Sequence, residues 1–193
     1  MITHIKGKLV EKTPTYVVID CNGIGYKLHI SLQTYSNVKE EKCFLFTHFS
    51  VKEDSHTLYG FSDEEERTLF RNLISVSGVG PSTAQVVLST YSPQETCQYI
   101  ISSDVAALQS VKGIGGKTAQ RIIIDLKDKL GKGIITNDIP VYENNDLRNQ
   151  ALSALIALGF NKKLAEQKID KILRNSSEEI SVEALVKSAL SGM

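Results

Sequence analysis

The sequence predicts a multidomain α+β chain: a small closed β-barrel at the N-terminus, an all-α middle, and a C-terminal three-helix bundle. Three observations predict it. The hydrophobic period switches from two residues to about 3.6 near Ser62. The middle third contains an internal repeat. Periodicity lapses over 131–145 and then resumes as short amphipathic runs. The expected units are 1–62, 63–130, a flexible linker at 131–145, and 146–193.

In the first unit, Ile24, Tyr26, Leu28 and Ile30 alternate with Gly25, Lys27 and His29, the period of a half-buried strand. Thr15 to Ile19 and Cys43 to Phe49 are rich in β-branched and aromatic residues. Thr13-Pro14 and Asn22-Gly23 read as turns, the second as a hairpin between two strand-like runs. About five short strands with one apolar face suggest a small closed barrel.

From Ser62 the pattern is helical. Ser62 with Glu65, and Ser92 with Glu95, have the spacing of a capping box. Leu69, Phe70, Leu73 and Ile74 form one stripe at helical spacing, and helical patterning continues to about Leu130. The stretch GKGIITNDIPVYENN then carries Gly, Pro, Asn and Asp without a period. Beyond it, Ala151, Leu152, Leu155, Ile156 and Leu158 form one apolar face; Ile169, Ile172 and Leu173 a second; Val182, Leu185, Val186, Ala189 and Leu190 a third.

The repeat lies within the helical middle. LISVSGVGPSTAQ, starting at Leu73, matches LQSVKGIGGKTAQ, starting at Leu108, an offset of 35 residues. Each copy places a glycine-X-glycine between two helix-like runs, a helix-hairpin-helix unit. Glycine takes positive φ without a Cβ clash, so the chain can turn tightly, and it leaves room for close approach to the backbone. The second helix of each unit begins with unpaired N–H groups and the positive end of its dipole. Together they suit a phosphate oxygen. Val79 and Ile114, between the glycines, are expected to plug down between the helices, and Lys117 and Thr118 add a charge and a hydroxyl. Such contacts touch the backbone of a nucleic acid and carry no sequence information. Two copies, matched outside the glycines too, weigh against a mere helix cap and turn.

Other chemistry finds little support. Lys plus Arg and Asp plus Glu are both 22, for a formal net charge of zero. That counts against a broad basic surface, and any nucleic-acid contact must rest on local geometry. Gly116-Lys117-Thr118 resembles the end of a P-loop, but Val111 stands where that loop needs its first glycine. Thr83 and Thr118 occupy the third glycine position of GxGxxG, so no nucleotide site and no cofactor is expected. His4, His29, His48 and His56 show no metal-ligand spacing. Asp125 and Asp128 could mimic the aspartate of a helix-hairpin-helix glycosylase, yet beside Lys127 and Lys129 they suit a solvated helix face. The expectation is a non-enzymatic binding protein. A glycosylase or nuclease, and a single-strand binder stacking bases on Tyr16, Tyr26 or Phe46, are the alternatives. Cys21, Cys43 and Cys97 are odd in number and widely spaced, which fits a reducing cytoplasm. No signal peptide and no apolar run of ~18 residues is present, so no membrane association is expected.

MITHIKGKLVEK, FTHFSVKEDSHTLYGFSDEEERTLFRNLI, and the hairpins SGVGPSTA and KGIGGKTA together resemble the RuvA family, the Holliday junction–binding subunits of the bacterial branch-migration complex. The resemblance is strong from Phe46 to Leu130 and extends, more weakly, to all three segments. It implies an N-terminal OB-fold, a central tandem helix-hairpin-helix domain, and a mobile C-terminal three-helix domain. It further implies a homotetramer holding a four-way junction open and square, with a second tetramer able to close over the DNA as an octamer. The RuvB motor ATPase would bind the C-terminal domain, and RuvC resolvase would be a further partner. The residues implied in DNA contact are Val79, Gly80, Pro81, Ser82 and Thr83, then Gly113, Gly115, Gly116, Lys117, Thr118 and Arg121. Glu53 and Asp54 fall in the family's acidic pin, where four-fold symmetry would gather negative charge at the crossover and repel phosphates. Ser82 departs from the family, which often offers a lysine there. Leu155, Leu158 and Phe160 align with the family's motor-binding surface; core packing competes with that role and is favoured for Leu155.

Overall fold

Five strands close on themselves at the N-terminus: β1 (His4–Lys12), β2 (Tyr16–Cys21), β3 (Ile24–Ile30), β4 (Lys42–Val51) and β5 (His56–Phe61). Their order around the barrel is β1-β2-β3-β5-β4. The computed structural model describes residues 1–39, 41–134, 143–175 and 180–191. All strand pairs are antiparallel except β3 with β5. Val17, Ile19, Leu28 and Leu45 fill the barrel, each essentially without solvent contact. The Asn22-Gly23 hairpin forms as expected: both residues have positive φ, 55° and 90°, the geometry a two-residue hairpin requires. The alternation expected of β3 fails at its first position, where Ile24 beside the turn is exposed.

A short helix, α1 (Leu32–Asn37), interrupts the strands and had no counterpart in the sequence pattern. At six residues it is too short to show a helical period, and Ser31 makes it by capping the Thr34 N–H at 3.0 Å.

The helical middle comprises α2 (Glu64–Ile74), α3 (Pro81–Thr90), α4 (Pro93–Ile101), α5 (Val105–Gln109) and α6 (Gly116–Ile134). The N-cap of α2 is Asp63, not Ser62: the Asp63 carboxylate accepts the Glu66 N–H at 2.7 Å. Ser62 is engaged elsewhere, its N–H donating to Thr34 Oγ1 and its hydroxyl accepting from Asn37. The capping box at Ser92 and Glu95 forms as expected. Leu69, Phe70 and Leu73 sink into a core shared with α3, α5 and α6, and Phe61 of the barrel joins it. Phe70 also meets the rings of Tyr59 and His48 on the outside of the barrel.

Barrel and helices are further tied by a buried carboxylate. Glu66 is wholly shielded from solvent. It accepts from the hydroxyls of Ser31 and, at 2.6 Å, Thr34. Burial raises its pKa above the ordinary carboxylate value; the two hydroxyls oppose that shift.

The expected linker is corrected at both ends. Helix α6 runs on through Ile134 and α7 begins at Glu143, so 131–134 and 143–145 are helical. Once nucleated, a helix gains a hydrogen bond for each residue added, which tolerates isolated glycines such as Gly131 and Gly133. The rest of the expected linker, 135–142, lies outside the described residues.

The chain divides into two units, Met1–Thr136 and Asn137–Met193. The second packs α7 (Glu143–Ala157), α8 (Lys162–Asn175) and α9 (Val182–Ser191) around Ala151, Leu155, Ile169 and Leu185. The Arg148 guanidinium grips Asp170 with two bonds, at 2.6 and 3.0 Å, joining α7 to α8. Among the described residues no helix is long and apolar enough to cross a membrane.

Candidate nucleic-acid interface

The two hairpins adopt the same backbone. Gly78 and Gly113 have φ of 91° and 93°, the left-handed region that side chains disfavour. The next residue then points inward: Val79 and Ile114 are each 5% exposed, and each donates its N–H, at 3.0 Å, to the carbonyl three residues earlier, Val76 and Val111. Both therefore plug the turn as expected. For Val79 this limits the expected DNA contact, because its side chain is in the core and its amide is spent within the turn.

The second glycine of each pair does something else. Gly80 caps α3 at φ −87° and ψ 168°, a conformation open to any residue, and no side chain caps that helix. A Cβ added at Gly80 or Gly115 would meet nothing within 4 Å. Neither glycine is required by the packing of the chain itself. The first carbonyls are taken up by Ala84 N–H on Gly80, at 3.0 Å, and Ala119 N–H on Gly115, at 2.9 Å. The amides ahead of them have no acceptor within their helix. In α3 these are Ser82 and Thr83, since Pro81 has no N–H. In α6 they are Gly116, Lys117 and Thr118.

The hairpins lie side by side. The Thr83 hydroxyl oxygen is 3.9 Å from the position a Cβ would take on Gly113. Ser82, Gly113, Gly115, Lys117 and Arg121 are exposed, and Pro81, Thr83, Gly116 and Thr118 half-buried. The arrangement presents two neighbouring sets of amide donors, a hydroxyl at each, and the Lys117 ammonium, groups whose chemistry suits anionic oxygens.

Glu53 and Asp54 form the exposed tip of the β4–β5 hairpin, closed by Lys52 N–H on the Ser55 carbonyl at 2.8 Å. In the C-terminal unit, Leu155 is fully buried, whereas Leu158 is 60% exposed and Phe160 half-buried against the core. The apolar face expected to include Ile156 and Leu158 thus ends at Leu155. Gly159, at φ 92°, terminates α7 there, and the Phe160 N–H returns to the Leu155 carbonyl at 3.1 Å.

The aromatics considered for base stacking are engaged otherwise. Tyr16 donates to Glu11 and lies under Lys27. Phe46 lies under Arg67, and Tyr26 packs on the barrel core. Asp125 and Asp128 are exposed on α6. Among the described residues no group of His, Cys, Asp and Glu is placed to hold a metal. Sequence inspection missed Glu66 and Gln109, whose significance depends on contacts with α1 and with Gly116.

Barrel, paired hairpins and terminal bundle define a tandem helix-hairpin-helix protein with an N-terminal OB-fold. Family models agree segment by segment: RuvA N terminal domain matches residues 1–60, SAM-like helix-hairpin-helix tandem residues 70–128, and RuvA C-terminal domain residues 146–193. The chain belongs to the RuvA family. It is 53% identical to a protein of Christiangramia forsetii over 98% of both chains, and 48% identical to one of Flavobacterium psychrophilum over the whole of both. A Cytophaga hutchinsonii protein is 47% identical over 98% of both. All three are named Holliday junction branch migration complex subunit RuvA.

Proposed function

We propose that this chain binds four-way DNA junctions by shape, through the sugar–phosphate backbone, and serves as the adaptor of a branch-migration complex in recombination and repair. The observation that carries the reading is the open space at Gly80 and Gly115. The fold does not need glycine there, whereas a phosphate approaching the free amides does. Val79 and Ile114 set the turns; Ser82, Thr83, Lys117, Thr118 and Arg121 supply the remaining contacts. Hairpin amides require few cations, consistent with a chain of zero net charge.

On this reading four copies surround the crossover as a homotetramer, with Glu53 and Asp54 of each at the centre to push strands apart. A second tetramer can close over the DNA. Lacking a phosphate-binding nucleotide loop, the chain does not drive strand movement itself and acts as a DNA-binding adaptor; RuvB supplies ATP hydrolysis and docks near Leu158 and Phe160, and RuvC shares the junction. The names of the relatives support the complex, and a cytoplasmic setting is part of the same proposal.

The test is the double variant Gly80→Asp, Gly115→Asp. A carboxylate at each hairpin both blocks and repels the phosphate. The full chain should lose junction binding in a gel-shift series while its circular dichroism is unchanged. Retained binding would remove the proposal.

A further inference from the structure

The two hairpins share a backbone but differ in what surrounds it. At the 35-residue offset, Pro81 corresponds to Gly116 and Ile74 to Gln109. In the first copy, proline removes one amide and Ile74 packs against the core. In the second, Gly116 keeps its amide, and its missing side chain leaves a space that is occupied. The Gln109 Nε2 lies 2.6 Å from where a Cβ on Gly116 would be. Gln109 is the last residue of α5 and is exposed, so its carboxamide has reached across the hairpin onto the start of α6. Among the described residues no hydrogen bond holds that side chain there. Its two N–H donors are unspent beside Gly116, the first residue of α6.

We propose that Gln109 is a further phosphate-binding residue of this chain, its carboxamide NH2 joining the α6 amides on one phosphate oxygen. The assignment rests on the hairpins being the DNA site. A Cβ at 116 would meet that amide and push it aside. Gln109 also makes the hairpins unequal. The second gathers an additional backbone amide, a lysine and a carboxamide where the first has proline, serine and isoleucine, so the second is the stronger anchor.

Titrating a labelled four-way junction with the full chain, by fluorescence anisotropy at several salt concentrations, tests this. Gln109→Ala should weaken binding about three- to tenfold, within the range for the net contribution of one hydrogen bond. It should leave the slope of log affinity against log salt unchanged, because a neutral amide releases no counterion. Lys117→Ala should both weaken binding and flatten that slope. Gly116→Ala should match Gln109→Ala, and the two together should lose little more than either alone, since both remove the same contact. Gln109→Ala binding as tightly as the parent, or fully additive losses, would overturn the assignment. If the Gly80→Asp, Gly115→Asp variant still binds, the hairpin reading itself fails; if it does not bind and Gln109→Ala is silent, only the role of Gln109 fails.

Discussion

Glycine has two separate tasks in each hairpin. Gly78 and Gly113 hold a left-handed turn, and a side chain there costs about 1–2 kcal/mol of backbone strain. Gly80 and Gly115 need no glycine for packing, because the space beside them is open. The two tasks should separate experimentally. Gly78→Ala should lower the urea midpoint by an amount worth about 1 kcal/mol or more. Gly80→Ala should lower the midpoint less than Gly78→Ala does, by the preference for glycine over alanine at an N-cap alone, and weaken junction binding severalfold. Equal effects of the two on stability would contradict the division. At this scale the glycines, Lys117 and Thr118 were legible because the repeat marks them. Gln109 was not, because its place is defined by a contact with Gly116 across the hairpin.

Elements show where local pattern stops being enough. Long amphipathic helices and the Asn22-Gly23 hairpin follow from sequence period and turn chemistry. Helix α1 was invisible because six residues carry no period, and the start of α2 was misread because Ser62 bonds to α1 instead of capping its own helix. Both errors lead to Glu66, which joins α1 to α2 from within the core. Burial raises its pKa in the folded state above the ordinary 4.5. The protonated form therefore favours folding: that contribution is complete below the unfolded pKa and is lost as pH rises through the folded one. Glu66→Gln cannot ionise. Its urea midpoint should gain on the parent's over the range where pH rises above the ordinary carboxylate value of 4.5. A constant difference across that range would show that the carboxyl ionises as readily folded as unfolded.

The whole molecule binds a polyanion, on the reading proposed here, with no net charge of its own. On that reading local donors hold the backbone, and the acidic tip of the β4–β5 hairpin repels it. Glu53→Gln with Asp54→Asn should accordingly tighten junction or duplex binding, measured at one salt concentration; unchanged or weaker binding would deny the pin its role. Three segments and their order could be read from the sequence, as could the family. Symmetry and partners could not be derived from residue patterns, because they arise between chains, and entered only through resemblance.

The most direct measurement compares dissociation constants, at one salt concentration, for two four-way junctions of unrelated sequence and for the duplexes that make up their arms. Recognition through hairpin amides predicts the same constant for both junctions and much weaker binding to every duplex. Constants that follow base sequence, or junctions bound no more tightly than their own arms, would contradict it.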